Sequence, residues 1–177
     1  MNTKKKIYFF SFLLPSRGRP NRLQEFINSL DKMTSDTNMV ELVVSLDEDD
    51  KNNYKNVSSK KIDLKFLKGN KNRFMGELNN NCLKNCNGKV AIFCNDDVVI
   101  ETQGWDQILK NKINNLSLPY LLYPNDLFKK KSLCTFPILD SDLLKSNKLF
   151  MPTNYSGNFI DLHLMDIFME LNKGSNI

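Results

Sequence analysis

The sequence has no apolar run near the roughly 20 residues needed to cross a bilayer. Its longest, residues 7–14 and 90–94, are the length of strands. Lys4, Lys5 and Lys6 precede the first run in the manner of a secretory leader. Pro15-Ser16-Arg17 cuts that run short and no small-residue cleavage site follows, so neither a leader nor an integral membrane segment is expected. Glycine is scarce, with 7 in 177 residues, and neither G-x-G-x-x-G nor G-x-x-x-x-G-K-[ST] occurs. A bound diphosphate must therefore be neutralised without a glycine-rich cradle. A divalent cation held by carboxylates, Mn2+ or Mg2+, is the simplest means. There is one histidine, His163, and no C-x-x-C pair among Cys82, Cys86, Cys94 and Cys134, which argues against zinc. Buried reduced thiols in a cytoplasmic protein are expected instead. Only 4 arginines accompany 21 lysines. With no Arg-rich run, Cys/His finger or aromatic RNP-like strand, no nucleic-acid partner is expected.

What is present reads as one globular domain over residues 1–177. The chain is 41% hydrophobic and 25% charged, enough for a single core and too short for two large ones. The net charge of +5 is a lysine excess that suits solvated surface and would also suit a diphosphate ligand. Strands are expected at 7–14, 40–46, 64–67 and 90–94, and further ones at 120–123 and 134–137. The first should end at Pro15. Leu23, Phe26, Ile27 and Leu30 form one helical stripe, entered through Pro20. Phe74, Leu78, Cys82 and Cys86 recur every four residues, giving a helix that stops near Asn87-Gly88. Residues 105–116 and the stripe Ile160, Leu164, Ile167, Phe168 and Leu171 complete the helices.

This alternation implies an α/β fold with a mainly parallel central sheet flanked by helices. Ligands then bind beyond the carboxyl ends of the strands. Those ends are chemically distinctive: Pro15-Ser16-Arg17-Gly18-Arg19, Asp47-Glu48-Asp49-Asp50 and Asn95-Asp96-Asp97. One basic and two acidic loops should meet on one edge, as a metal-assisted site for an anionic ligand requires.

The motif Leu14-Pro15-Ser16-Arg17-Gly18-Arg19-Pro20, the run Val43-Val44-Ser45-Leu46-Asp47 and the strand Ala91-Ile92-Phe93-Cys94-Asn95-Asp96-Asp97 resemble, in order and spacing, the family-2-like glycosyltransferases of the Rossmann-like GT-A fold. Gly104-Trp105-Asp106 is also familiar in that group, and Asp161 resembles its late catalytic acid. The resemblance covers roughly residues 7–171 and departs in two places. Asn95 stands where the first carboxylate of the "DxD" motif is usual, and the span from Asp97 to Asp161 is short.

The resemblance implies metal-dependent transfer of a sugar from a UDP- or GDP-linked donor to a glycan or other hydroxyl acceptor, with inversion. Asp161 is the expected base, with Asp126, Asp140 and Asp166 in reserve. Asp97 is the expected metal ligand, with His163 completing the shell. Pro15, Ser16, Arg17, Asp47, Arg73 and Asp96 are expected to hold the donor, Asp96 by contacting sugar or ribose and Asp49 as the reserve for Asp47. Arg17, Arg19 and Arg73 are three of the four arginines, a choice that suits the planar fork needed for phosphate or, equally, surface ion pairs. Trp105 reads as core or as a platform for the acceptor sugar. Two alternatives stay open: a degenerate nucleotide-sugar-binding module, and a sugar nucleotidylyltransferase, although the glycine-rich loop expected of the latter is missing.

Overall fold

A computed structural model describes residues 6–69, 74–146, 151–153 and 159–171. Strands β1 (Tyr8–Ser16), β2 (Val40–Asp47), β3 (Asp63–Gly69), β4 (Gly88–Phe93) and β5 (Ile138–Asp140) form one sheet in the order β3-β2-β1-β4-β5. All neighbours are parallel except β4 and β5. Helices α1 (Pro20–Met33), α2 (Met75–Asn85), α3 (Trp105–Ile113), α4 (Ser141–Ser146) and α5 (Ile160–Glu170) cover its faces.

Strand alternation divides the core. Phe10, Phe12 and Leu14 of β1 and Leu42, Val44 and Leu46 of β2 pack with the α1 stripe Leu23, Phe26, Ile27 and Leu30, and with Leu109 and Ile113 of α3. The intervening Leu13, Val43, Ala91 and Phe93 pack with Cys82 and Leu83 of α2, Leu144 of α4 and Ile160, Leu164 and Phe168 of α5. Central strands buried on both faces must be apolar at nearly every position, which is why they read as continuous runs. Each fully buried Leu or Phe contributes about 1.5–3 kcal/mol. The four cysteines are buried free thiols, as expected. Among the described residues, no helix is long and apolar enough to cross a membrane.

Several expectations are corrected. β1 continues through Pro15 to Ser16. The last β1–β4 pair is Leu13 with Phe93, and alternation turns Pro15 toward that side, so its missing N–H breaks no ladder bond. Residues 134–137 form no strand; β5 begins at Ile138, and Leu122 meets it through one isolated antiparallel bridge. Helix α4, unforeseen, is capped by Asp140, whose Oδ1 accepts from the Leu143 N–H at 2.8 Å. The buried face of α2 is Gly76, Asn79, Asn80, Cys82 and Leu83, not the four-residue stripe, and Phe74 is an exposed cap.

Candidate functional site

From β1 the chain passes through α1 to β2 on one side, and from β3 through α2 to β4 on the other. The carboxyl ends of β1 and β4 therefore flank the point where the winding reverses, the usual crevice of such sheets. Ser16 ends β1 and Asp96 lies just past β4. The Ser16 Oγ–H donates to Asp96 Oδ2 at 2.5 Å and lies 2.8 Å from the Tyr54 hydroxyl. The Arg19 N–H donates to that hydroxyl at 3.2 Å. The Arg19 guanidinium spans both acids, with Nη2 2.6 Å from Asp96 Oδ1 and Nη1 3.2 Å from Asp97 Oδ2. Burial raises the Asp96 carboxyl above its ordinary range, against the lowering influence of Ser16 and Arg19.

The second acidic loop is tied to the same basic turn. Arg17 pairs with Asp47 and reaches Asp49 at 3.2 Å, and the Gly18 N–H donates to Asp50 Oδ2 at 2.5 Å. The convergence expected of the three loops is therefore present. Arg17 is engaged by carboxylates, and Pro15 is buried within β1. Asp47 is itself buried at the end of β2, and its Oδ1 has no hydrogen-bond partner among the described residues. An unpaired buried acceptor costs free energy that an incoming donor would recover.

The turn after β4 separates the two adjacent acids. Past the end of β4, the turn leaves Asn95 and Asp97 exposed and sets Asp96 inward, where it is fully buried. Asp96 holds Ser16 and Arg19 in place. The outward pair is Asn95 and Asp97.

Beside Asn95 opens a cavity of about 150 Å³, floored by Phe93 and Met151, with Asn79, Thr135 and Asp161 in its wall. Two contacts fix the far wall. Asn80 brackets Met151, donating from Nδ2 to its carbonyl at 2.9 Å and accepting its N–H at 2.7 Å. Gly76 lets α2 approach so closely that an added Cβ would lie 1.8 Å from the Pro152 oxygen. Asp161 stands in the first turn of α5, as the sequence suggested, and burial raises its carboxyl pKa. Asn79 was missed. It is buried on α2 with Oδ1 unpaired among the described residues, and the signal for it was three successive asparagines on an amphipathic helix.

Two reserve acids have other work, Asp126 holding a turn and Asp140 capping α4, while Asp166 is exposed on α5. Trp105 is core, lying 5.1 Å from the Phe10 ring and 5.2 Å from Phe12, with its indole N–H donating to Thr34 Oγ1 at 3.0 Å. Arg73 lies outside the described residues. His163 sits in the second turn of α5. Among the described residues, no three His, Cys, Asp or Glu side chains are gathered as a ready metal shell, so His163 and Asp97 are not brought into one. Asp97 nevertheless offers a hard, half-exposed oxygen donor beside the sheet's reversal point. Such a donor fits Mg2+ or Mn2+, which commonly take one or two carboxylates and complete their shell with substrate phosphates and water.

No protein-family model and no curated protein matches the sequence. Solved structures do match, with the GT-A glycosyltransferase fold. S. aureus TarS 1–349 in complex with UDP superposes at a TM-score of 0.73 with 20% identity, over 96% of this chain and 57% of that one. The mannosyltransferase PcManGT from Pyrobaculum calidifontis, in complex with GDP-Man and Mn2+, gives 0.71 and 13%, over 97% and 55%. The 4-diphosphocytidyl-2C-methyl-D-erythritol synthase from Anaerococcus prevotii gives 0.60 and 11%, over 96% and 86%. The chain thus has the GT-A fold and spans little more than half the length of the two glycosyltransferases.

Proposed function

We propose that this chain is a nucleotide-sugar-dependent glycosyltransferase acting as one cytoplasmic domain over residues 1–177, with UDP- or GDP-linked donors and a hydroxyl acceptor. The observation that carries the reading is the outward pair Asn95 and Asp97 at the sheet's reversal point, adjoining a cavity that holds Asp161. The neighbours bound to UDP and to GDP-Man with Mn2+ support it.

In this reading the nucleoside lies over the ends of β1 and β2, where Asp47 Oδ1 accepts a donor from base or ribose. The diphosphate lies between Asp97 and the Arg17–Arg19 turn. Asp97 would hold the Mn2+ or Mg2+, which when bound supplies charge neutralisation for the leaving diphosphate. Arg19 must release Asp97 for that, and Asp96 retains the guanidinium through Oδ1. The sugar ring occupies the 150 Å³ cavity, too small for a whole nucleotide-sugar. Asp161 takes the acceptor's proton as its oxygen attacks the anomeric carbon, and inversion follows. Burial raises its pKa, which makes its carboxylate a stronger base than an ordinary aspartate's.

Asn95 favours a second reading, a donor-binding module without turnover, because an amide replaces an acid at the outward position. Incubation with a panel of UDP- and GDP-sugars and Mn2+ separates the two. Turnover gives free nucleoside diphosphate and, on transfer, a product of inverted anomeric configuration; the module gives binding alone. Pyrophosphate release from a nucleoside triphosphate and a sugar 1-phosphate would instead indicate nucleotidylyl transfer.

A further inference from the structure

The segment between Asp106 and Asp140 contains one acid, Asp126, and five lysines at 110, 112, 129, 130 and 131. Three of those lysines follow directly on Leu127 and Phe128, which are 71% and 81% exposed, and all three are themselves exposed. Large apolar side chains scattered over a surface need no explanation. These two are held outward by a built turn. Asp126 Oδ1 accepts the N–H groups of Phe128, Lys129 and Lys130 at 3.0, 2.7 and 2.9 Å, and its Oδ2 accepts the Thr135 hydroxyl at 2.8 Å. Asn125 Oδ1 accepts the Leu127 N–H at 3.0 Å, and Ser132 Oγ–H closes the turn onto the Lys129 carbonyl at 2.6 Å. Leu127 (φ 61°) and Lys130 (φ 53°) adopt the left-handed region that bulky side chains avoid. A turn serving only as a connection gains nothing from presenting a leucine and a phenylalanine to water at that backbone cost.

The chemistry of the turn is that of an interfacial anchor. An apolar tip enters the acyl boundary while lysines beside it meet anionic headgroups. The one acid present is engaged by the N–H groups of the turn and the Thr135 hydroxyl, hydrogen bonds that hold its pKa below the ordinary range against the raising effect of burial. Lys129 Nζ lies 5.1 Å from the centre of the Phe128 ring, where the cation can move off to a headgroup as the ring enters. Thr135 joins this turn to the wall of the cavity, so a surface seated on the tip lies beside the candidate site.

We infer that residues 127–131 dock this protein onto an anionic lipid bilayer. The test is co-sedimentation with vesicles of phosphatidylcholine alone and of phosphatidylcholine mixed with phosphatidylglycerol. The parent should bind the mixed vesicles far more tightly than the neutral ones, and added salt should weaken that binding. Exchanging Lys129, Lys130 and Lys131 together for glutamine should lower affinity about a hundredfold, since each lysine near the surface is worth roughly fivefold. Leu127→Ser with Phe128→Ser should reduce it by at least about tenfold. Both variants should keep the parent's melting temperature and nucleotide affinity, because the altered side chains are exposed and lie outside the candidate site. Absence of binding to anionic vesicles, as a protein-docking role for the tip would give, overturns the inference. So does equal binding to neutral and anionic vesicles, or either variant pelleting like the parent. None of these readouts depends on sugar transfer.

Discussion

Asp161 is the residue on which chemistry and stability are expected to pull in opposite directions. Burial raises its pKa, so the folded protein binds a proton there more readily than the unfolded chain does. Between the unfolded pKa and the raised folded one, the native state carries more protons, and stability from this group falls as pH rises through that window. Above it the buried charge is a standing cost. Asp161→Asn should therefore raise the melting temperature at neutral pH while lowering kcat by roughly 10²–10⁴. The acid limb of the parent's rate profile should lie above the ordinary aspartate value of about 3.9. Equal stability and activity in the variant would remove Asp161 from the mechanism. Asp47 makes a separable prediction. Its unpaired Oδ1 should receive a ligand donor, so Asp47→Ala should weaken nucleoside diphosphate binding by about 10- to 100-fold, the worth of a hydrogen bond to a charged group. Solvent screens its pairing with the exposed Arg17 guanidinium, so urea unfolding should move little.

At the scale of elements, helix α2 builds the wall of the cavity, and Gly76 is where it is most sensitive. A Cβ there would overlap the Pro152 carbonyl, so Gly76→Ala must push residues 151–152 away or tilt the helix. A loss of about 1–3 kcal/mol in urea unfolding is expected, together with weaker binding of the donor sugar. Unchanged stability would mean that the wall yields freely. The elements also show where sequence reasoning reached and where it stopped. Strands β1, β2 and β4 were legible because burial on both faces leaves uninterrupted apolar runs. Helix α1 was legible because its stripe is strictly periodic. β5 was displaced because three residues beside a single bridge carry too little pattern. The face of α2 was misread because two buried asparagines replace apolar residues, and their reason for being inside, the Met151 backbone and the cavity, is tertiary. The burial of Asp96 was not legible because two adjacent acids look equivalent until the turn after β4 sets one inward.

At the scale of the whole molecule, the sheet order brings three sequence-distant loops to one edge and leaves them paired with one another: Arg17 with Asp47 and Asp49, Arg19 with Asp96 and Asp97. Only the Arg17–Asp49 and Arg19–Asp97 pairs have both partners half-exposed, and such pairs are individually weak, so a diphosphate and a cation can replace those two together. Arg19→Gln frees Asp97 of its guanidinium and should tighten Mn2+ binding to the nucleotide-free protein, measured by paramagnetic resonance titration. Weaker Mn2+ binding in that variant would place the cation elsewhere.

The central claim is tested most directly by following UDP- and GDP-linked sugars by phosphorus and proton NMR in the presence of Mn2+. The account predicts that at least one donor is consumed, with release of its nucleoside diphosphate. It also predicts that EDTA stops the reaction and that Asp161→Asn slows it at least about a hundredfold while still binding the donor. A protein that neither binds nor consumes any donor in the panel would contradict the account.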